Sequence, residues 1–79
     1  MNLQLIILRT LRLVHPRMMG TGTLWSEVLM EAPGTTYAAF VEACRTLEER
    51  GQALRINGED RDRIKITDDG IARILESTI

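Results

Sequence analysis

One segment, residues 35–51, limits the possible folds of this chain more than any other, because it must form a helix with one buried side. Its apolar residues recur at intervals of three and four, which places them on one stripe of a helix. That stripe consists of Tyr37, Phe40, Val41, Cys44 and Leu47. The opposite stripe, which faces solvent or a partner, consists of Ala39, Glu42, Ala43, Thr46 and Glu49. We expect Thr35 or Thr36 to cap this helix and Gly51 to end it after Arg50.

Two further helices are predicted before this segment. Residues 2–14 form the first, with a central buried line of Leu3, Ile7, Leu11 and Val14, and Pro16 ends it at about His15. Ile6, Leu8 and Leu13 widen its apolar arc beyond what one small core covers, so the C-terminal helix or a second subunit should cover the excess. Residues 23–31 form the second helix, which the Pro33-Gly34 break separates from the third.

Residues 52–67 predict two short strands that fold back on each other. Asn57-Gly58 resembles a two-residue hairpin turn, but that register places Ile56 opposite Glu59 and mixes apolar and charged side chains on one face. A longer loop over about residues 57–63 separates the two kinds of side chain. The expected pairs are then Ile56 with Ile64 and Leu54 with Ile66.

This hairpin is expected to carry a basic outer surface. Arg55, Arg63 and Lys65 share that face in the preferred register, and Arg61 lies at the tip. After the hairpin, Thr67 can cap a last helix whose apolar line is Ile71, Ile74, Leu75 and Thr78 or Ile79. We expect this helix to pack on the first one.

The order helix, turn, helix, hairpin indicates a winged helix-turn-helix. The predicted fold class is α+β and mainly helical, with three helices, a two-stranded wing and a short C-terminal helix, in one domain over residues 1–79. Ten basic and eleven acidic residues give a formal charge of -1, so any nucleic-acid binding must come from local clustering. The absence of a secretory signal pattern and of a membrane-length apolar run predicts a cytoplasmic protein.

Two short signatures resemble those of a known class of regulators. LEERG at residues 47–51, a hairpin, and ITDDGI at residues 66–71 are similar to the end of the recognition helix, the wing and the "LTxxG" start of the closing helix in MarR- and PadR-like regulators. This resemblance covers about residues 3–76. It implies a dimeric transcriptional regulator that places its third helix in the major groove of double-stranded DNA and its wing near the minor groove.

The positions that this resemblance assigns to DNA binding lie on the third helix and on the wing. They are Thr35, Thr36, Ala38, Ala39, Glu42, Arg45 and Thr46 on the helix, and Arg61, Arg63 and Lys65 on the wing. Of the helix residues, only Arg45 is of a type that reads a base in bidentate fashion. The broad apolar arc of the first helix separately motivates a homodimer through that helix.

The residues point to no catalytic, metal or cofactor chemistry. Cys44 lies on the predicted buried stripe, where a thiol packs as a small apolar group, and His15 lies at a helix end. The acidic pairs Glu48-Glu49 and Asp68-Asp69 are adjacent on helices, so their side chains diverge by about 100°. We therefore expect no enzyme. The alternative to DNA binding is a protein-interaction module on the same scaffold, because Glu27, Glu31, Glu42 and Glu49 surround the groove-facing surface.

Overall fold

The structure, a computed structural model, describes residues 2–57 and 62–77. The helices are α1 (Leu3–Arg12), α2 (Thr21–Glu31), α3 (Tyr37–Glu49) and α4 (Asp68–Ser77), and the strands are β1 (Met19–Gly20), β2 (Ala53–Asn57) and β3 (Asp62–Ile66). The strands form one antiparallel sheet in the order β1-β3-β2. This arrangement confirms the predicted α+β winged helix-turn-helix. No helix among the described residues has the length and apolar content that a membrane crossing needs.

α1 ends earlier than the sequence predicted. The side chain of Asn2 caps its start by accepting a hydrogen bond of 3.0 Å from the amide of Gln4. Its end is Arg12 rather than His15, and a series of turns leads through the cis peptide bond between His15 and Pro16. Leu13, which was expected to extend the buried arc, is therefore outside the helix and 84% exposed.

The apolar arc of α1 is covered inside this chain. Ile6, Ile7, Leu8 and Leu11 are buried in the core, because α2, α3, α4 and β3 all pack against α1. The predicted packing of the last helix on the first is thus confirmed. Of the three residues that widened the predicted arc, Ile6 and Leu8 are thus covered within the chain, whereas Leu13 is exposed.

β1 has no counterpart among the elements predicted from the sequence. These two residues pair with β3, Met19 with Ile64 and Gly20 with Arg63, and α2 begins directly after them at Thr21. The segment was expected to be a connector, with α2 starting at Thr23. A two-residue strand carries no alternation that a sequence pattern can detect. Its pairing places β3 between two neighbours and fixes the start of α2 beside the wing.

α3 agrees closely with its predicted limits, although its buried stripe is rotated. The hydroxyl of Thr36 accepts a hydrogen bond of 3.1 Å from the amide of Ala39 and caps the helix. After the helix, Gly51 has a φ of 71°, the left-handed conformation that favours glycine. The residues buried on α3 are Phe40, Ala43, Cys44 and Leu47.

Three residues of α3 depart from the predicted stripes. Ala43 was expected on the open side and is buried, whereas Tyr37 and Val41 were expected inside and are 60% and 41% exposed. α3 packs against α1, and the burial of Ala43 shows that the buried stripe extends to the side of this residue. Tyr37 and Val41 are left at the opposite edge of the stripe.

The predicted hairpin register is wrong by one residue. Arg55 lies opposite Ile64, and Ala53 lies opposite Ile66, so Leu54 and Ile56 point to the outer face. Ala53 supplies the small inward side chain that packs in the core, while Leu54 and Ile56 are 46% and 50% exposed. The strands extend to Asn57 and Asp62, so the loop is shorter than expected.

α4 begins as expected and is held by several contacts. The hydroxyl of Thr67 accepts a hydrogen bond of 3.2 Å from the amide of Gly70. The guanidinium of Arg73 donates to the side-chain oxygens of Gln4, at 2.7 Å, and Gln52, at 2.8 Å. Ile74 is buried and Ile71 is half-buried, whereas Leu75 is exposed rather than inward. Thr78 and Ile79 lie outside the described residues.

Candidate nucleic-acid interface

The start of α3 presents an immobilised aromatic residue to solvent. The ring of Tyr37 packs edge-on against Trp25, with centroids 5.4 Å apart and planes at 75°, and lies 6.0 Å from the ring of Phe40. Trp25 and Phe40 are themselves 5.0 Å apart, so the three rings form one cluster. Thr36, which caps the helix, is exposed beside this cluster, while Thr35 is half-buried. Sequence analysis assigned Tyr37 to the core, since its spacing matches the buried stripe.

The outward face of α3 carries mixed and partly neutralised charge. Ala38, Glu42, Arg45 and Glu49 are exposed and follow one another at intervals of three and four. One terminal nitrogen of Arg45 donates to both carboxylate oxygens of Glu42 at 2.7 Å. This hydrogen bond raises the pKa of Arg45 further, so Arg45 stays protonated. Both side chains are largely exposed to solvent, so water screens the pair and it separates easily.

Three of the predicted helix positions lie toward one side of α3. Ala39, Glu42 and Thr46 line a shallow groove of about 320 Å³ whose other wall is the start of α1. The hydroxyl of Thr46 donates a hydrogen bond of 3.0 Å to the carbonyl of Glu42, so it is partly occupied within its own helix. The predicted helix positions therefore divide between a central line and this groove.

The wing carries fewer outward cations than predicted. Arg63 is exposed and Lys65 is half-buried, and both point to the outer face together with Leu54 and Ile56. Arg55 is on the opposite face, where it forms an ion pair of 3.4 Å with Glu48 at the end of α3. The one-residue shift in register moves Arg55 to that face. Arg61 lies outside the described residues.

Arg63 lies beside the start of α2 rather than the start of α3. A cleft of about 630 Å³ is lined by Met18, Gly20, Thr21, Gly22, Thr23, Asp62 and Arg63. The cap residue of α2 is Gly20, which offers no side-chain acceptor to the first amides of the helix. Amides at a helix start attract phosphate, and a guanidinium adds to that attraction, whereas Asp62 opposes it. Sequence analysis did not identify this cleft, because the pairing of β1 with β3 creates it.

The predicted binding residues accordingly form two groups. Thr36, Ala39, Glu42, Arg45 and Thr46 lie along α3, while Arg63 and Lys65 lie on the wing beside the start of α2. The two groups lie on different parts of the surface. A ligand that contacts both groups must therefore span α3 and the wing.

The single cysteine is inside the core, as the sequence predicted. Cys44 is buried, and that burial, with a smaller contribution from Glu48, raises the pKa of its thiol to about 11, against a weaker opposing effect of Arg55. Such a thiol is neutral near pH 7 and a poor nucleophile. Within residues 2–57 and 62–77, no three acidic, histidine or cysteine side chains converge as metal ligands.

The chain is similar to known proteins in structure but matches none of them by sequence family. No protein-family model matches the sequence, and no curated protein matches it. A crystal structure of the Campylobacter jejuni peroxide stress regulator is similar, with a TM-score of 0.71 and 26% identity, over 84% of this chain and 48% of that chain. The chain thus spans about half the length of that regulator.

A second structure matches nearly the whole chain. SSV1 F-93 has a TM-score of 0.77 and 21% identity, over 96% of this chain and 81% of that chain. Because that identity is low, this second likeness concerns the fold alone. The chain is a winged helix-turn-helix domain by its fold, and it is similar in structure to part of the peroxide stress regulator and to most of SSV1 F-93.

Proposed function

We propose that residues 1–79 act as a cytoplasmic DNA-binding domain that regulates transcription. α3 enters the major groove, and the wing and the start of α2 contact the phosphate backbone. The observation that carries this proposal is the open start of α3, where Thr36 caps the helix and Tyr37 is held outward by Trp25 and Phe40. A preformed aromatic side chain at that position contacts sugar or base edges with little loss of conformational entropy.

The backbone contacts supply most of the affinity in this proposal. Arg63 and Lys65 reach the phosphates from the wing, and the amides at the start of α2 bind a further phosphate beside Arg63. Each phosphate that a side-chain cation neutralises adds about 0.9 to the slope of log affinity against log salt. With a formal charge of -1 for the chain, long-range attraction is weak and binding depends on these local groups.

A titration with a labelled duplex tests this proposal. The anisotropy of a mixed-sequence duplex of about 25 base pairs is followed at about 50 mM salt with up to tens of micromolar protein, where even nonspecific binding is measurable. We expect binding for the original chain and its loss for the double variant Arg63→Glu, Lys65→Glu. The matched control is Arg9→Glu, Arg12→Glu, which reverses two exposed cations on α1 and should leave binding within about twofold.

The absence of any binding by the original chain under these conditions would refute DNA binding. An equal loss of affinity in both double variants would show that only total charge matters, and would refute the assignment of the phosphate contacts to the wing.

A second candidate function is a protein-interaction module on the same fold. The observation that favours it is the outward face of α3, where Glu42 neutralises Arg45 and Glu49 adds a negative charge. Such a face suits a basic protein surface better than a phosphate backbone. Under this alternative, Arg63→Glu with Lys65→Glu leaves partner binding largely intact, whereas Glu42→Arg with Glu49→Arg abolishes it.

A homodimer was also expected, through α1. The core already covers Ile6, Ile7 and Leu8, and the exposed residues of α1 include Arg9 and Arg12. These two cations would repel their copies across a symmetric contact. These features favour a different surface for any dimer of this chain.

A further inference from the structure

The free edge of the sheet presents unpaired backbone groups. β2 is an edge strand, since the sheet order is β1-β3-β2. The amide of Thr67 donates a hydrogen bond of 3.1 Å to the carbonyl of Gln52. Gln52 and Thr67 therefore form a hydrogen-bonded pair directly before Ala53 and Ile66, the first pair of the ladder. Hydrogen-bonded pairs alternate in an antiparallel ladder, so Leu54 and Ile56 use their backbone groups within the hairpin. The backbone groups of Ala53 and Arg55 consequently point away from β3, but Ala53 is buried, so Arg55 is the position at which these groups are open to a second strand.

Side chains of the same strand add an apolar surface to this edge. Leu54 and Ile56 are about half exposed on the outer face of the sheet, although residues of their type are usually buried. Among the described residues, no helix packs over that face, because the core lies on the side of Ala53, Ile64 and Ile66. An exposed apolar edge strand pairs readily with another strand.

We propose that β2 pairs antiparallel with β2 of a second copy, centred on Arg55, to form a continuous six-stranded sheet. In that register Leu54 lies opposite Ile56 of the second copy, and Ile56 lies opposite its Leu54. Four apolar side chains then meet on the outer face, where each is half exposed in the single chain. The strand is self-complementary in this one register, which is the condition for a closed twofold contact.

The charges at the centre of this contact are balanced within each copy. Arg55 of one copy would lie opposite Arg55 of the other copy. The two positive charges would repel each other if both guanidinium groups were unpaired. Each is instead turned to the inner face, with its Nε 3.4 Å from a carboxylate oxygen of Glu48. The outer face beside the contact holds Arg63 and Lys65 on β3, one strand farther away.

The size of the contact predicts a weak dimer. A contact between two five-residue strands involves far fewer residues than the roughly 20–30 a side of a standard interface, so we expect a dissociation constant on the order of tens to hundreds of micromolar. Leu54 and Ile56 lie opposite Lys65 and Arg63 on the same face, but the dimer is measured without DNA, so either proposal can fail without the other.

Sedimentation velocity and diffusion measurements from about 10 μM to 1 mM test the proposal. Leu54→Lys with Ile56→Lys places four cations at the contact and should leave a monomer at every concentration. Leu13→Lys is the matched control, since Leu13 is an exposed apolar residue remote from the sheet. It should dimerise like the original chain.

A proline at Arg55 tests the backbone pairing itself. Its missing amide costs no hydrogen bond inside the hairpin, because the amide of Arg55 faces the free edge. Arg55→Pro should raise the dissociation constant more than tenfold, and Glu48→Gln, which leaves the two facing guanidinium groups unpaired, should also raise it. Circular dichroism verifies folding of each variant, and the lysine double variant decides the question if Arg55→Pro does not fold. A monomer at 1 mM for the original chain, or a dimer that persists in Leu54→Lys, Ile56→Lys, would overturn the proposal.

Discussion

The hydroxyl of Thr67 donates a hydrogen bond of 2.6 Å to the carbonyl oxygen of Gly51, which joins the end of α3 to the start of α4. The same hydroxyl accepts from the amide of Gly70 and caps α4. The two signatures at residues 47–51 and 66–71, which are far apart in sequence, therefore form one contact in the structure. That contact holds the hairpin between them at both of its ends.

Gly70 is expected to be intolerant of any side chain. A methyl group there would overlap the carbonyl oxygen of Gln52 and lie 2.6 Å from a methylene of Ile66. Gly70→Ala should lower the free energy of unfolding by about 1–3 kcal/mol, the usual cost of overpacking. Gly22→Ala is the control, because a side chain at Gly22 meets nothing within 4 Å and should add about 0.5–1 kcal/mol of helix stability. Urea denaturation measures both, and equal effects would contradict this packing.

The buried thiol predicts a loss of stability at alkaline pH. The pKa of Cys44 is about 11 in the folded chain against 9.0 as the ordinary value, so the unfolded chain releases this proton first. The contribution of Cys44 to stability is complete below pH 9 and is lost as the pH rises toward 11. Thermal unfolding from pH 8 to 11 should show a steeper decline for the original chain than for Cys44→Ala. Parallel declines would show that the thiol is not responsible.

The ion pair on α3 is expected to restrain DNA binding. Glu42→Gln removes a negative charge from the outward face and frees the guanidinium that now donates to both of its oxygens. We expect about two- to fivefold tighter binding, in keeping with an exposed pair. Arg45→Ala should weaken binding, and both variants should unfold within about 0.5 kcal/mol of the original chain. Unchanged affinity in both would exclude this part of α3 from the interface.

Tyr37 and the only tryptophan provide an optical test of the interface. DNA contact at Tyr37 should change the fluorescence of Trp25, whose ring lies 5.4 Å away, with the same midpoint as the anisotropy titration. Tyr37→Ala should weaken DNA binding and reduce the change in Trp25 fluorescence. Tyr37→Phe removes only the hydroxyl and so measures its separate contribution to the affinity. Met30→Ala, an exposed residue on α2, serves as the control. An unaltered affinity in Tyr37→Ala would remove Tyr37 from the proposed contact.

The order of elements was predictable because it depends on local signals. Gly51 after an amphipathic helix and Thr67 before another mark helix ends through backbone geometry and capping. The hairpin register was not predictable in the same way. β2 has apolar residues at 53, 54 and 56, so either face can be read as the inner one, and the pairing of Arg55 with Glu48 is visible only in three dimensions.

The candidate interface was predicted less completely than the fold. The spacing predicts Tyr37 and Val41 in the core, whereas the structure buries Ala43 on the other edge of the stripe and leaves these two residues exposed. The cleft at the start of α2 depends on β1, which is too short to leave a periodic signal. Contacts between elements distant in sequence determine both features.

The pairing of β1 with β3 connects the wing to the first turn of α2, since Met19 lies opposite Ile64 and Gly20, directly before α2, lies opposite Arg63. We expect a ligand that displaces the wing to move the start of α2 as well, and with it the buried side chains of Leu24 and Val28. The wing and the start of α2 would then respond together rather than as two independent parts.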